Sequence, residues 1–308
     1  MSSEGLMAWV EVVGKVVMYG GILVVAGSVV CSYLLTSYRT FSTFEVTPLD
    51  FGIGYERFSV AGVQGARLGC WYVPAEGMRG IVIVSHGIGD SKQGVLPYVV
   101  KFHRAGYGLV LYDLRRHGES SGKYCTIGYY ETEDLVRVTA HVRREYADGK
   151  PILYWGFSLG GTISLLAAGR DEGVRAVVAQ SPFPSLREVV KHYAWVFYWI
   201  PPVPVVALGL KLMEWRTGVR AEEVDVRVVA EKLRGRPVLL IGSERDRQVP
   251  LRWLEGMKRE FGEGAELVVG PYGHDDGFLT SEEVEGGCAD IDHAIAFFDR
   301  VIGGGKGR

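Results

Sequence analysis

The fold of this chain follows from residues 152–161, Ile-Leu-Tyr-Trp-Gly-Phe-Ser-Leu-Gly-Gly. The apolar start predicts a buried strand and the residues after 160 favour a helix, so Gly-x-Ser-x-Gly is the sharp turn between them. At such a turn the hydroxyl of Ser158 points out of the sheet. The amide of Leu159 lies at a helix N-terminus, where it can stabilise an anion. The flanking glycines are needed because a Cβ there would collide with a neighbouring strand or helix. The same letters also fit an ordinary strand-to-helix turn.

Buried strands and helices alternate along the rest of the chain. Residues 81–84 are continuously apolar, as a strand buried on both faces requires, and further strands are predicted at 108–112, 174–179, 238–241 and 266–269. Helical segments at 95–105 and 129–146 lie between them, and two shorter runs at 55–61 and 67–73 form a hairpin. The alternation predicts a doubly wound α/β sheet that is mostly parallel. In such a sheet the functional site lies beyond the carboxyl ends of the strands.

The composition limits the classes of function. The chain has 308 residues, enough for one large domain after an N-terminal segment, and 47% of them are hydrophobic. A formal net charge of −2 gives no reason to expect a nucleic acid as partner. No spacing of ligand residues indicates a metal site, and we predict neither a metal nor an organic cofactor. We predict free thiols, with one bridge left open for an oxidising compartment, at Cys31, Cys70, Cys125 and Cys288.

The N-terminal segment predicts a single-pass membrane anchor. The 23 residues from 16 to 38 carry no charge, and at about 1.5 Å per residue they span a hydrocarbon core of roughly 30 Å. A signal peptide fits less well, because Glu4 and Glu11 precede the run and no clear cleavage site follows it. A buried helix is the other alternative. Lys15 before the span and Arg39 after it leave the orientation, and so the side of the membrane, undetermined.

These features divide the chain into segments. We predict a tail at 1–15, a transmembrane helix at 16–38, a linker at 39–54, an α/β domain at 55–302 and a flexible tail at 303–308. Within the domain, an insertion at 182–236 should form a small cap over the strand ends.

The central part of the cap has an unusual composition. Residues 192–210 carry no full charge, contain five aromatic residues and are interrupted by three prolines, which argues against one spanning helix. A lid that packs on the core would explain the composition. We favour an apolar wall for an acyl chain, and the alternative is a surface that rests in the membrane interface.

Four blocks of sequence together resemble the α/β-hydrolase fold family over roughly residues 55–302. The blocks are His86-Gly87, Asp-Leu-Arg-Arg-His-Gly-Glu-Ser at 113–120, the turn at 156–160, and Gly-Ser-Glu-Arg-Asp-Arg-Gln-Val-Pro at 242–250 with Gly273-His274 beyond. The chain is most similar to the membrane-anchored branch that includes BEM46-like and related ABHD-type serine hydrolases. It departs from the family at Arg116, where a glycine is usual.

The resemblance implies a catalytic triad in the chain order serine, acid, histidine. A serine hydroxyl becomes a good nucleophile when a base takes its proton, and the histidine that does so is oriented by a carboxylate. Ser158, Asp246 and His274 match this order. Glu244 is the alternative acid.

The oxyanion hole is expected to combine two backbone amides. Leu159 supplies one, and by resemblance Ile88, which follows His86-Gly87, supplies the other. His86 is expected to shape this loop rather than to act as the base.

Other polar residues are expected to be structural. The acidic and basic residues in this group are Asp113, Arg115, Glu131, Asp134, Asp275 and Asp276. Five further histidines compete less well for the role of base, because they lie in helix patterns, in the loop after 112 or in the insertion: His103, His117, His141, His192 and His293.

These residues predict a serine hydrolase that cleaves an ester or thioester with an apolar acyl group through an acyl-enzyme intermediate. Its partners would be a small-molecule or lipid ester and, through the N-terminal helix, a membrane. A serine peptidase with the same triad is the first alternative. A non-catalytic protein that binds a lipid or a partner is the second. The oligomeric state stays open.

Overall fold

The structure, a computed structural model, describes residues 3–40, 45–200, 202–274 and 289–304. The strands of its central sheet are β1 (Glu56–Ala61), β2 (Arg67–Val73), β3 (Ile81–Ser85), β4 (Gly108–Tyr112), β5 (Ile152–Phe157), β6 (Val174–Gln180), β7 (Val238–Ser243) and β8 (Ala265–Gly270). They are ordered β1-β2-β4-β3-β5-β6-β7-β8 across the sheet. Strand β2 pairs antiparallel with β1 and β4, and the other neighbouring pairs are parallel. The mostly parallel sheet and the N-terminal hairpin are confirmed.

Helices cover both faces of this sheet. The helices are α1 (Ser3–Leu34), α2 (Lys92–Arg104), α3 (Tyr129–Glu145), α4 (Leu159–Ala168), α5 (Leu186–Tyr198), α6 (Ala207–Thr217), α7 (Ala230–Leu233), α8 (Leu251–Phe261) and α9 (Ala289–Gly303). Helices α2 and α9 enclose one hydrophobic core, and α3, α4 and α8 enclose the other. Along β3, Ile81 and Ile83 enter one core while Val82 and Val84 enter the other. A strand buried on both faces favours apolar side chains at every position, which is why residues 81–84 are continuously apolar.

The loop after β4 is held by a buried ion pair. The carboxylate of Asp113 accepts hydrogen bonds from the Lys92 amide at 2.8 Å and the Glu119 amide at 2.8 Å. Its second oxygen also meets the Lys92 ammonium, and both side chains are almost wholly buried. The prediction that Asp113 ties this loop to neighbouring backbone is confirmed.

Arg116 fits the loop although a glycine was expected at this position. Its backbone takes a positive φ of 64°, a conformation that glycine adopts more readily. Its guanidinium donates to the carbonyl oxygens of Lys123 at 3.0 Å and Tyr38 at 3.3 Å. These bonds offset the backbone strain and attach the loop to the segment that follows α1.

The insertion forms a cap of several short elements. Helix α5 ends at Tyr198, Trp199 takes a left-handed φ of 55°, and α6 begins only at Ala207. The proline-containing turn Pro202–Val206 separates the two helices. The prediction that residues 192–210 are not one continuous helix is confirmed.

The N-terminal helix is longer than the span predicted at 16–38. It begins at Ser3, so the predicted tail at 1–15 is helical in nearly all of its length, and it ends at Leu34. The prediction followed the charge-free run. Charged residues also fit an exposed helix, as the pair between Lys15 and Glu11 at 2.6 Å illustrates. At the other end α9 extends to Gly303, and residues 305–308 lie outside the described part.

A second buried ion pair joins the hairpin to α3. The guanidinium of Arg115 donates to both carboxylate oxygens of Asp134 at 2.7 and 2.9 Å, and the same carboxylate accepts from the Val63 amide at 2.9 Å. Glu131 lies beside Arg115 and accepts from the Thr126 amide at 2.7 Å. The structural roles expected for Arg115, Asp134 and Glu131 are confirmed.

Replacing Asp134 by alanine should destabilise the fold strongly. Asp134→Ala leaves a buried guanidinium without its partner, which costs about 3–5 kcal/mol of unfolding free energy. The matched control is Glu133→Ala, since Glu133 is 40% exposed and makes only surface ion pairs with Arg137 and Arg170. Urea denaturation in detergent measures both. Equal losses in the two variants would contradict this role for the pair.

Candidate active site

Ser158 occupies a strained turn between β5 and α4. Its backbone takes φ 52° and ψ −115°, outside the regions that a serine ordinarily adopts. A Cβ at Gly156 would lie 2.2 Å from the Gly160 carbonyl oxygen, and a Cβ at Gly160 would lie 2.0 Å from the Ser85 carbonyl oxygen. The expected collisions at both glycines are thus confirmed. The turn closes only because neither glycine carries a side chain.

His274 hydrogen-bonds to Ser158 and to Asp246. Its Nε2 lies 3.1 Å from the Ser158 hydroxyl oxygen, and its Nδ1 lies 2.6 Å from Oδ2 of Asp246. The Asp246 side chain is fully buried and that of His274 is 5% exposed. The carboxylate fixes the ring with a proton on Nδ1, which leaves Nε2 to accept the serine proton.

The loop after β7 presents Asp246 rather than Glu244 to the histidine. Oδ1 of Asp246 accepts the amides of Gln248 at 2.8 Å and Val249 at 2.7 Å, so Oδ2 is left to face His274. Glu244 is exposed and hydrogen-bonds through its amide to the Gly270 carbonyl. The structure therefore brings Asp246 to the histidine, and Glu244, the alternative acid, lies at the surface.

The segment before His274 is supported by Asp290 on α9. The Tyr272 hydroxyl donates to Oδ1 of Asp290, and the Gln180 amide donates to Oδ2 at 2.8 Å. Burial raises the pKa of the Asp290 carboxyl. No sequence pattern predicted this support, because Asp290 lies 18 residues from Tyr272 and 110 residues from Gln180. Residues 275 and 276, interpreted as local loop structure, lie outside the described part of the chain.

The Leu159 amide and the loop that carries Ile88 both lie beside Ser158. The Leu159 amide is the first of α4 and has no acceptor within that helix. A Cβ at Gly87 would lie only 3.7 Å from the Cβ of Ser158, so the loop that carries Ile88 runs beside the nucleophile. Residues 87–90 form a turn, closed by the Asp90 amide and the Gly87 carbonyl at 3.4 Å.

Two buried histidines hold that loop. Nε2 of His86 accepts the Leu114 amide at 2.9 Å, and its Nδ1 donates to the Gly87 carbonyl at 2.7 Å. His117 accepts the Gly89 amide on Nε2 at 3.1 Å and donates from Nδ1 to the Arg115 carbonyl at 2.9 Å. Burial is the largest cause that lowers the pKa of each imidazole, well below 6.5 for His86. Both rings therefore act as neutral braces, and for His117 the sequence did not indicate this role.

A cavity of about 460 Å³ opens between the cap and the loop after β7. His192 and Val196 of α5 line it on one side, and Asp246, Arg247 and Arg252 line it on the other. Neither Ser158 nor His274 is among its lining residues.

The cap helix is also bonded to the loop that carries the acid. A ring nitrogen of His192 donates to the Arg247 carbonyl at 2.8 Å, and the Tyr193 hydroxyl donates to Oε1 of Gln248 at 2.7 Å. Movement of α5 therefore acts directly on the residues next to Asp246.

Neither a metal-binding cluster nor a disulfide occurs among the described residues. Among residues 3–40, 45–200, 202–274 and 289–304, no group of three or more His, Cys, Asp or Glu side chains is arranged to hold a metal ion. Cys31, Cys70 and Cys125 are free thiols, and Cys288 lies outside the described part.

Comparison with known sequences agrees with this architecture. A family model described as the alpha/beta hydrolase fold matches residues 80–205, and one described as a TAP-like protein matches residues 213–285. The uncharacterized protein YqkD of Bacillus subtilis is 29% identical over 196 residues. The alignment covers 63% of this chain and 64% of YqkD, slightly less than two thirds of that relative's length.

Solved structures of other proteins share the fold of this chain. The Pyrococcus furiosus esterase Pf2001 superposes with a TM-score of 0.69 at 21% identity, covering 86% of this chain and 98% of that esterase. Acetyl xylan esterase 1 from Thermoanaerobacterium sp. JW/SL YS485 superposes with a TM-score of 0.59 at 19% identity, covering 85% and 86% of the two chains. Identities this low establish the fold alone.

The two buried histidines should make the fold sensitive to mild acid. Below about pH 6.5 the unfolded chain binds a proton at each imidazole that the folded chain excludes, so stability is fully present above that pH and falls below it. Each ring contributes up to about 1.4 kcal/mol per pH unit. His117→Gln should flatten the slope between about pH 5 and 6.5.

The control for this experiment is His293→Gln, because His293 is exposed on α9. It should leave the slope of unfolding free energy against pH unchanged. A His117→Gln slope identical to that of the parent would contradict the neutral-brace assignment.

Asp246→Asn should slow modification of Ser158 by a fluorophosphonate by roughly 10³- to 10⁴-fold. The amide cannot stabilise the imidazolium, and it favours the tautomer with its proton on Nε2. Glu244→Gln is the matched control and should retain the parent's rate, since Glu244 is exposed. The second-order rate constant of labelling measures both variants. A larger loss in Glu244→Gln than in Asp246→Asn would reverse the assignment of the acid.

Proposed function

We propose that this chain, which has the alpha/beta-hydrolase fold, is a serine hydrolase that cleaves carboxylic esters or thioesters through an acyl-enzyme. The observation that carries the proposal is the hydrogen-bond chain from the Ser158 hydroxyl through His274 to the buried Asp246 carboxylate, with links of 3.1 and 2.6 Å. A serine in a strained turn that is bonded to a histidine with a buried carboxylate behind it is the arrangement that activates a hydroxyl.

In the proposed first half-reaction, Ser158 Oγ attacks the carbonyl carbon while Nε2 of His274 takes the hydroxyl proton. The negative charge that develops on the carbonyl oxygen is stabilised by the Leu159 and Ile88 amides. When the tetrahedral intermediate collapses, the imidazolium returns its proton to the departing alcohol or thiol. Asp246 holds the ring and stabilises its positive charge throughout.

In the second half-reaction a water molecule takes the place of the leaving group. His274 removes a proton from this water, and the resulting hydroxide attacks the acyl carbon. Collapse of the second intermediate releases the carboxylic acid, and the proton returns to Ser158. Every proton in this cycle passes through one imidazole nitrogen, so loss of His274 disables both halves.

The composition of the cap supports an apolar acyl group. Residues 192–210 carry no full charge, and Val206 and Leu210 are buried with the main core. A serine peptidase is the second candidate, because Arg247 and Arg252 line the cavity next to Asp246 and could pair with a peptide carboxylate.

We extend the proposal to a membrane anchor. Helix α1 has 32 residues, is long and apolar enough to cross a bilayer, and has a mean hydropathy of 1.9 in its most apolar window, of which only 11% is buried. A signal sequence has the same features. A membrane-anchored enzyme of this kind fits the BEM46-like branch. Its substrate would be a lipid or small-molecule ester. The side of the membrane on which the catalytic domain lies stays open.

A substrate panel tests the proposal. The purified full chain in detergent is assayed with acyl esters and thioesters of several chain lengths beside aminoacyl amides. We expect hydrolysis of the esters or thioesters, with a loss of about 10⁴-fold or more in kcat for Ser158→Ala. Ser59→Ala is the matched control because Ser59 is exposed on β1, far along the chain from the turn.

Activity confined to the aminoacyl amides would replace the esterase by the peptidase. Turnover that survives Ser158→Ala would contradict both hydrolase proposals. Lipid binding without turnover by any variant would favour a binding protein.

A further inference from the structure

The C-terminal part of α1 packs directly on the cap. A Cβ at Gly209 of α6 would lie 2.9 Å from both Cβ and Sγ of Cys31, so the two helices cross at a distance that only glycine permits. The Ser28 hydroxyl also donates to the Val205 carbonyl at 3.1 Å. The anchor is therefore a packed element of the cap in this region and not a free tether.

Arg216 fastens the end of α1 to the cap. Its guanidinium donates to the Ser32 carbonyl at 2.6 Å and to the Thr36 hydroxyl at 2.6 Å. It also lies over the ring of Tyr33, 4.2 Å from the centroid. A cation at a helix C-terminus is favoured by the helix dipole.

The free and packed parts of α1 fix the level of the cap. Residues 3–23 are exposed, and Ser28 is the first buried residue. The uncharged part of the helix, residues 16–34, is about 28 Å long, which matches a hydrocarbon core of roughly 30 Å. Residues 27–34, which pack on the cap, occupy the last ~12 Å of that length. A bilayer crossed by this run must therefore reach the cap.

The cap presents aromatic side chains on its outer side. Trp195 and Tyr198 lie three residues apart on α5. Trp199 follows the end of this helix, its ring lies 6.3 Å from that of Trp195, and it is 79% exposed. Val203, in the turn that packs on α1, is 69% exposed. Tryptophan and tyrosine favour the headgroup level of a bilayer, and interfacial elements bury their apolar face by roughly 5–10 Å.

Basic residues lie around the C-terminal end of α1. Arg39 and Lys123 are exposed, and Arg116 and Arg216 donate to backbone carbonyls at the end of α1 and just beyond it. These cations complement the phosphate groups of a phospholipid surface.

We infer that α1 acts as a strut that holds the aromatic side of the cap, Trp195 to Val203, in the interface of a phospholipid bilayer. This inference rests on the anchor of the proposed function but not on its chemistry. The occupant of the aromatic surface is the bilayer, since α1, which packs against the cap, crosses the same bilayer.

Tryptophan quenching by brominated lipid tests the inference. The full chain is reconstituted in phosphatidylcholine–phosphatidylglycerol vesicles whose acyl chains carry bromine near the headgroup. The background variant is Trp9→Phe with Trp215→Phe, which removes the tryptophan of α1 and the exposed tryptophan of α6. We expect the fluorescence of the cap tryptophans to be quenched. The double variant Trp195→Phe with Trp199→Phe should lose most of this quenched fluorescence. Trp253→Phe is the matched control because Trp253 is partly buried against the main core and against the ring of His192.

Gly209→Leu tests the strut itself. The added side chain would separate α6 from α1, so the protein should still float with vesicles while quenching of the cap tryptophans falls severalfold. Gly256→Leu is the control, since a Cβ there meets only Arg259 Nη2 at 3.9 Å. Circular dichroism verifies that both variants are folded.

The outcomes separate the inference from the hydrolase proposal. Quenching that Trp195→Phe with Trp199→Phe leaves unchanged would overturn the cap's contact with lipid. Full quenching in folded Gly209→Leu would overturn the strut, and a parent that fails to float with vesicles would overturn the anchor and the inference together. Ser158→Ala should be quenched like the parent, so a failure of the hydrolase chemistry leaves this result intact.

Discussion

The site depends on one backbone constraint, the strained turn that holds Ser158 at φ 52° and ψ −115°. The turn exists because Gly156 and Gly160 let β5, α4 and β3 approach within distances that any Cβ would prevent. The strain is offset by the strand before it and the helix after it, both of which are buried. The same turn aims the hydroxyl at His274 and places the first amide of α4 beside it. The orientation of the hydroxyl and the position of the amide proposed for the oxyanion hole thus have a common origin.

Around this turn, charge is placed only where it has a partner. The Asp246 carboxylate is fully buried but accepts two backbone amides and the His274 ring. His86 and His117 are kept neutral by burial, and each uses one ring nitrogen as donor and the other as acceptor. The two rings are fully buried, and their hydrogen bonds hold the loop beside the nucleophile. Preorganisation of this kind is what an oxyanion hole requires.

The sequence predicted what local pattern and chain order determine. The predictions of the sheet, the hairpin and the glycines around Ser158 depend on short-range sterics and were correct. The catalytic roles of Asp246 and His274 stay predictions, although His274 contacts Ser158 and Asp246 contacts His274. The Asp290 support and the bond from His117 to Gly89 join residues far apart in the chain, and no periodicity encodes them. The length of α1 was underestimated because the uncharged run measures compatibility with a membrane rather than the extent of a helix.

The most direct test of the account is to trap the nucleophile. The folded full chain is treated with a fluorophosphonate, digested, and the modified peptide located by mass spectrometry. The account predicts a single adduct on Ser158 that is absent in Ser158→Ala and forms far more slowly in His274→Ala. An adduct on another residue of the folded protein, or an adduct on Ser158 that forms equally fast without His274, would contradict it.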